Sequence, residues 1–332
     1  MKKISNQKNH PSIRTYLSNV SLLIKTNELA GPLIALITLY FASAALSNRF
    51  LTFENQIVLL LMYIQIALLA LGEAPIIIMG GIDLSPGSVM GLVAVSTAYM
   101  IVYMNMSISV AVLLGLLIGA LVGLINGLLV TKAKLPSFVV TLAVLLAGRG
   151  LIYIITGGYS ITGERLYALG FLIHRLYGVP LIIWLLLVII LVYYYFLKYT
   201  TIGLYIYAIG GNEEAVRVAG VNADLIKIIT FTIAGFLYGV GGIFILGQLQ
   251  SGYANIGYGY ELNAIASCVV GGVSLAGGSG SPLSPVVGGL ILTLIQNILV
   301  LLGVNPFYQW VVTGIVLVAA GAALTRGVKF AK

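Results

Sequence analysis

Residues 109–130 read SVAVLLGLLIGALVGLINGLLV, twenty-two positions without a charge and with a single amide, Asn126. The hydrocarbon core of a bilayer is about 30 Å thick, and a helix rising about 1.5 Å per residue needs roughly 20 apolar residues to cross it. A membrane-spanning helix follows, because lipid offers no water to unpaired backbone groups and the run lacks the two-residue alternation of a barrel strand. The rest of the chain agrees. Of 332 residues, 60% are hydrophobic and 8% charged, and the mean hydropathy is +1.09. Soluble domains are about 25% charged, so this chain cannot cover a water-facing surface. A soluble enzyme, a nucleic-acid-binding domain and a disordered chain are excluded together. A single cysteine, Cys268, excludes a disulfide framework or a thiolate zinc site. His10 falls in the N-terminal tail and His174 in an outer connection, a poor basis for a metal centre.

Working outward from residues 109–130, nine more apolar runs are expected to cross: Ala30–Leu46, Gln56–Met79, Ser88–Tyr103, Ser137–Thr156, Pro180–Leu197, Ile228–Gln250, the short Leu262–Leu275, Val286–Leu302 and Gln309–Leu324. The expectation is an all-α polytopic bundle of about ten helices. It divides into a basic tail at 1–29, a membrane domain at 30–326 and a C-terminal tail at 327–332. Lys2, Lys3, Lys8, Arg14 and Lys25 mark the first tail as cytoplasmic by the positive-inside rule. Ten crossings then put Lys132 and Lys134, the segment from Lys198 to Lys227, and Arg326, Lys329 and Lys332 on that same side. Arg49, Arg165 and Arg175 fall outside and Arg149 within a span. An odd count would move the C-terminal basic cluster outside, which disfavours nine or eleven. A plasma-membrane protein with both termini in the cytoplasm is expected.

Two glycine-rich segments resemble each other. Gly80, Gly81, Ile82, Asp83, Leu84, Ser85, Pro86, Gly87, Ser88 stands beside Gly271, Gly272, Val273, Ser274, Leu275, Ala276, Gly277, Gly278, Ser279, with five of nine positions identical. Paired glycine and proline interruptions in two halves of a membrane chain point to a solute pathway, because broken helices leave backbone groups to line a cavity. Chance matching in a glycine-rich chain is the alternative. On the ten-span map both segments face the cytoplasm, so an inverted repeat does not follow from the map.

Between the sixth and seventh spans lies a polar stretch at 207–227, YAIGGNEEAVRVAGVNADLIK. Asn212 is a good N-cap, Glu213 and Glu214 place negative charge in a first turn, and Gly220 offers a left-handed stop. A helix of about seven residues is expected, with Ala215, Val218 and Ala219 on one face and Glu213 paired to Arg217 across a turn. Such a short amphipathic helix suits docking into a groove of a cytoplasmic protein or resting on lipid headgroups. The chain has no P-loop and no Gly-Lys dipeptide, so any ATP must be hydrolysed by another subunit.

The segments GGIDLSPGS at 80–88, KLPSFVVTLAVLLAGRGLIYIITGG at 134–158, YAIGGNEEAVRVAGV at 207–221 and ELNAIASCVVGGVSLAGGSGSP at 261–282 together resemble the permease subunits of monosaccharide ABC importers, of the ribose, xylose, arabinose and galactose type. The similarity runs from about residue 55 to the C-terminus. It implies a bundle similar to the vitamin B12-type importers. Two permease subunits, as two copies or a pair of paralogues, would surround a path in the prokaryotic cell membrane, with two cytoplasmic ATPases carrying ATP and magnesium and an extracytoplasmic sugar-binding protein. No cofactor is implied on this chain. At the matching positions Asn212, Glu213, Glu214, Ala215, Val216, Arg217, Val218, Ala219, Gly220 and Val221 would form the coupling helix that fits a cleft of the ATPase. Pro86 stands where many relatives carry valine, so the first glycine motif departs slightly from the pattern. Importers of branched-chain amino acids, nucleosides or furanose signals look alike in these motifs, and an ion-coupled carrier is the rival from another class.

Candidate pathway residues are Gly80, Gly81, Asp83, Ser85, Gly87, Glu261, Asn263, Gly271, Gly272, Gly277 and Gly278. Glu73, Asp83, Arg149 and Glu261 lie near expected span ends, where capping or interfacial roles compete with a path role. Asn126, Gln248, Gln250, Asn263, Gln296 and Asn297 either line a hydroxyl-binding path or bond between helices. Tyr253, Tyr258 and Tyr260, expected on an outer connection, are candidates to stack on a sugar face.

Overall fold

The computed structural model describes residues 29–305, 307–309, 311–312, 314–316 and 318. Its helices are α1 (Ala30–Leu46), α2 (Phe53–Ile78), α3 (Pro86–Val102), α4 (Ile108–Thr131), α5 (Ser137–Thr156), α6 (Leu181–Tyr199), α7 (Thr201–Val218), α8 (Ala223–Leu249), α9 (Tyr260–Val270) and α10 (Ser284–Leu301). A 3-10 helix, Glu164–Ile173, and a two-stranded hairpin of Arg175–Leu176 and Val179–Pro180 separate α5 from α6. A short apolar helix, Phe307–Val316, follows α10. Six helices, α2, α4, α5, α6, α8 and α10, are each long and apolar enough to cross a membrane unaided. The chain is a polytopic helical membrane protein. The first seven expected spans and the ninth match helices to within five residues. The tenth, at 309–324, the basic tail before Leu29 and the cluster Arg326, Lys329 and Lys332 lie wholly or partly outside the described residues.

Local signals set the boundaries. The Thr52 hydroxyl accepts from the Asn55 amide at the start of α2, and the Asn222 side chain accepts from Leu225 at the start of α8. α5 stops at Gly157, which takes the left-handed conformation at φ +60°. α2 and α8 form the buried axis of the bundle. α4 lies against α8 along a face carrying glycine at every fourth position: 115, 119, 123 and 127. A methyl at Gly119 would come within 2.6 Å of the Gly235 carbonyl, so the two backbones touch. Small-residue contact of this kind holds membrane helices together where lipid removes the hydrophobic drive.

Two crossings are broken. The first follows α2. Ser137, at the start of α5, bonds to the Ile82 amide through its hydroxyl, and Thr141 bonds likewise to Leu84, while Gly148 packs on Ser88. Between Ser137 and Gly148, α5 climbs about 16 Å. Residues 81–85 make most of that ascent without helix, and α3 begins only near the middle of the bundle. The second break precedes α9. Gly252 exchanges backbone hydrogen bonds with Ile161 at 2.7 and 3.0 Å and packs on Ala98; Ile256 lies beside Gly91 and Gly257 against Gly87. Residues 251–259 therefore descend along α3 from Ala98 to its first turn, again about 16 Å, and α9 completes the crossing with 11 residues. The expected span Leu262–Leu275 is corrected accordingly: its helix is Tyr260–Val270, too short to cross, and residues 271–275 belong to a turn. The two breaks oppose one another, and the starts of α3 and α9 meet where Gly87 faces Gly257.

Candidate functional site

At the end of the bundle where α2 stops and α5 starts, α7 bends sharply. Asn212 leaves the helix with φ −162° and ψ 98°, and its Oδ1 accepts from the Ala215 amide at 2.9 Å. The expected N-cap is in place, and Gly220 at φ +85° ends the segment. The expected isolated helix is instead the second limb of α7, residues 213–218, preceded by an unforeseen helical limb at 201–211. Thr200 caps that limb by accepting from Gly203.

Ion pairs hold the second limb to the start of α8. Glu213 lies 2.7 Å from Arg217 and 2.6 Å from Lys227. Arg217 also bonds Asp224, which lies 3.6 Å from Lys132. Burial alone would raise the Glu213 carboxyl, but the bonds from Lys227 and Arg217 outweigh it and hold Glu213 below the usual glutamate range. Val216 is the buried anchor of the limb. Glu214, Ala215, Val218 and Ala219 point outward and Val221 is half-buried. Val218, an apolar side chain, is 85% exposed.

The glycine segments support the bend from the side of the first limb. The Gly278 amide donates to the Ile78 carbonyl at 2.8 Å. Gly277, at φ +84°, lies against the Gly80 amide and the Gly210 carbonyl, and Gly278 packs on Gly211. The two similar motifs thus meet at one end of the molecule, as the ten-span map placed them. Gly271 packs on the Ser284 carbonyl, and Gly81 lies against the Ser137 hydroxyl. Gly272 turns the chain at φ +99°.

Deeper in, Glu73 and Asp83 are 0% and 1% exposed, so neither is an exposed interfacial carboxylate; Asp83 bonds at the start of α3. Glu73 Oε1 accepts from the Asp83 amide at 3.1 Å. Asp83 Oδ1 accepts from the Ser85 amide at 2.7 Å and its hydroxyl at 2.6 Å. Asn126 donates to that hydroxyl oxygen at 3.1 Å, and the Tyr238 hydroxyl stands 3.4 Å from an oxygen of each carboxylate. Tyr238 fits because Gly72 has no side chain: a methyl there would meet the ring at 2.5 Å.

Where the broken crossings meet, Arg149 Nη1 donates to the Ile256 carbonyl at 2.7 Å. Its guanidinium lies over the Tyr258 ring, 5.5 Å from the centroid. One turn along α5, the Tyr153 hydroxyl bonds Asn255 Oδ1 at 3.2 Å. Glu261, in the first turn of α9, presses its carboxylate onto Gly87. Of the three candidate tyrosines only Tyr258 is exposed. Tyr253 is half-buried and Tyr260 opens α9, so the expected outer connection runs into the bundle. Asn263 is half-buried, and its carbonyl accepts from Ser267. Two of the candidate amides take the interhelical alternative: Asn297 pairs reciprocally with Asn55 at 3.0 and 3.2 Å, and Gln248 meets Gln65. Residue patterns missed Tyr238, Asn255, Gly210, Gly211 and Gly257. The pair Gly210–Gly211 and the repeated glycines of 252–259 were the available signals.

The chain matches the family described as branched-chain amino acid transport system / permease component over residues 55–321. It is 39% identical over 292 residues to the ribose import permease protein RbsC of Escherichia coli (strain K12), covering 87% of this chain and 91% of that one. It is 38% identical over 292 residues to the L-arabinose transport system permease protein AraH of the same organism, covering 87% and 88%. With RbsC of Bacillus subtilis (strain 168) the identity is 36% over 296 residues, covering 87% and 90%. No solved structure matches. Matching most of its length to one family and to whole relatives of the same kind, the chain belongs to the transport-system permease family.

Proposed function

We propose that this chain is the path-forming subunit of an ATP-driven importer of a monosaccharide. The observation that carries this reading is the similarity over 87% of the chain, at 36 to 39% identity, to permeases named for ribose and L-arabinose. The family description names branched-chain amino acids, which keeps that solute class as the second reading. In the sugar reading the ten crossings comprise the six uninterrupted helices, α1, the two broken crossings and the helix after α10, arranged as in the vitamin B12-type importers. The α7 bend faces the cytoplasm with both tails, and an extracytoplasmic binding protein delivers the sugar.

The limb 213–218 and its flanks Asn212 and Ala219–Val221 dock on an ATPase subunit, with Val218 entering an apolar cleft. ATP and magnesium act on that partner; this chain does no chemistry. Closure of two ATPases moves two such limbs, and a pair of permeases switches between outward and inward openings as near-rigid bodies. Each tenfold of uphill gradient costs about 1.4 kcal/mol, well within what nucleotide hydrolysis supplies.

Reconstitution with and without the ATPase tests this reading. Sugar accumulation is expected only with the ATPase and ATP present, and accumulation without them would overturn it. Charge reversal at Glu213 is expected to uncouple hydrolysis from uptake while leaving membrane insertion intact. ATPase co-purification and uptake that both survived the reversal would reject the docking role.

A further inference from the structure

Residues 251–259 are non-helical backbone within the depth of the bundle, a state tolerated only where the backbone is buried in protein or lines water. One side of the segment is buried, with Gly252, Ile256 and Gly257 against α3 and Ala254 also buried. The other side displays Asn255 and Tyr258, the latter 64% exposed, next to Tyr153 at 50%. α5 is 20 residues long and carries Arg149 twelve residues from its start, about 18 Å along the helix, so Arg149 and the Tyr258 ring beneath it lie inside the bundle, with Tyr153 one turn nearer the end at Thr156. The Tyr258 phenol and the Asn255 amide facing hydrocarbon beside Arg149 would be unfavourable. On the importer reading they face the path instead.

The charges are turned away from that face. Arg149 gives one nitrogen to the Ile256 carbonyl and covers one side of the Tyr258 ring. Its other terminal nitrogen, and Glu261 Oε2, are buried without a hydrogen-bond partner among the described residues. Buried polar atoms are rarely left unpaired without a reason. Discontinuous helices that begin at mid-membrane, as α3 and α9 do, are where transporters hold solute. What the surface offers is neutral: an aromatic face with an open side, a second phenol and an amide.

We propose that Tyr258, Tyr153 and Asn255, backed by Arg149, form a contact site for a neutral polyhydroxylated ring midway along the path. The C–H face of the ring stacks on Tyr258 and its hydroxyls bond to Asn255 and the Tyr153 hydroxyl. The pairing of Arg149 with Ile256 fixes the stacking platform, and the absence of a displayed charge disfavours ions and zwitterions. The site rests on the importer reading and narrows its substrate class.

The test uses the reconstituted complex with its ATPase and binding protein, and radiolabelled D-ribose and L-arabinose as probes. Tyr258→Ala is expected to lower uptake at least tenfold while ATPase activity with binding protein stays within twofold of wild type. Tyr258→Phe keeps the ring and is expected to import within twofold. Uptake by Tyr258→Ala within twofold of wild type overturns the proposal. A second measurement does not depend on transport. Cys268 is the one cysteine of the chain, so Tyr258→Cys combined with Cys268→Ala carries a single thiol. A charged, membrane-impermeant thiosulfonate is expected to label it, more slowly under saturating sugar. A thiol that labels only after denaturation lies against lipid or protein and overturns the proposal. A wild-type complex that imports no monosaccharide removes the importer reading and the site together, whereas a wild type that imports while Tyr258→Ala also imports removes the site alone.

Discussion

At the first broken crossing four successive amides, of Ile82, Asp83, Leu84 and Ser85, are answered by the side chains of Ser137, Glu73, Thr141 and Asp83. At the second, the backbone answers itself through local turns, from Ile256 to Tyr253 and from Tyr258 to Asn255, and the side chains of Asn255 and Tyr258 are left outward. The same departure from helix thus serves two ends. A stretch clamped by side chains fixes geometry, because removing the Glu73 or Asp83 clamp strands a buried donor. A stretch that closes its own hydrogen bonds frees its side chains for a solute.

Where the two meet, the largest effect is expected. Gly87→Val drives side-chain atoms into the Gly257 carbonyl and the Glu261 carboxylate. Backbone cannot yield as a flexible side chain does, so a loss of about 1–3 kcal/mol is expected, read as a lowered thermal midpoint in detergent. An unchanged midpoint would mean that the crossings do not touch there. Next comes the clamp. Glu73→Ala strands the Asp83 amide and is expected to destabilise by about 1–3 kcal/mol, whereas Glu73→Gln keeps an acceptor oxygen and should avoid most of that loss. Equal damage from both substitutions would place the importance of Glu73 in its charge. The contrast sharpens with Asn255→Ala, expected to shift stability by no more than about 0.5 kcal/mol while lowering uptake. Should it destabilise as much as Glu73→Ala, the distinction between clamped and free stretches fails.

A modest effect belongs to the α7 limb, whose ion pairs are partly exposed and contribute on the order of 0.2–1 kcal/mol each. Glu213 is held below its ordinary range by Lys227 and Arg217. Its contribution is therefore complete above the usual glutamate value of about 4.3 and fades as pH falls through the lower folded value. Hydrogen exchange at the Val221 amide, bonded to the Val216 carbonyl, is expected to show constant protection between about pH 6 and 8, after correction for intrinsic rates, and weaker protection in strong acid or salt. Loss of protection at neutral pH would contradict the pairing.

The uninterrupted helices were legible because a crossing announces itself in about twenty consecutive residues. Asn212 and Gly220 were legible because capping is settled within one turn. The fourfold glycine spacing of α4 could have identified its contact with α8. The residues 251–259, SGYANIGYG, carry the signs of an exposed loop, and nothing local says that they pack along α3. The Glu73–Asp83–Tyr238 cluster joins residues up to 165 positions apart, and no periodicity encodes such a meeting. Gly210 and Gly211 were readable as glycines but not as the floor of the α7 bend.

Behind the exposed Val218, main chain rests on main chain: Gly278 bonds Ile78, and Gly277 and Gly278 lie against Gly210 and Gly211. Side chains cushion a push by changing rotamer, and here none intervene. A displacement delivered at the bend would pass through backbone contact to the end of α2 and the turn that follows α9, so the junction behaves as a bearing with little play.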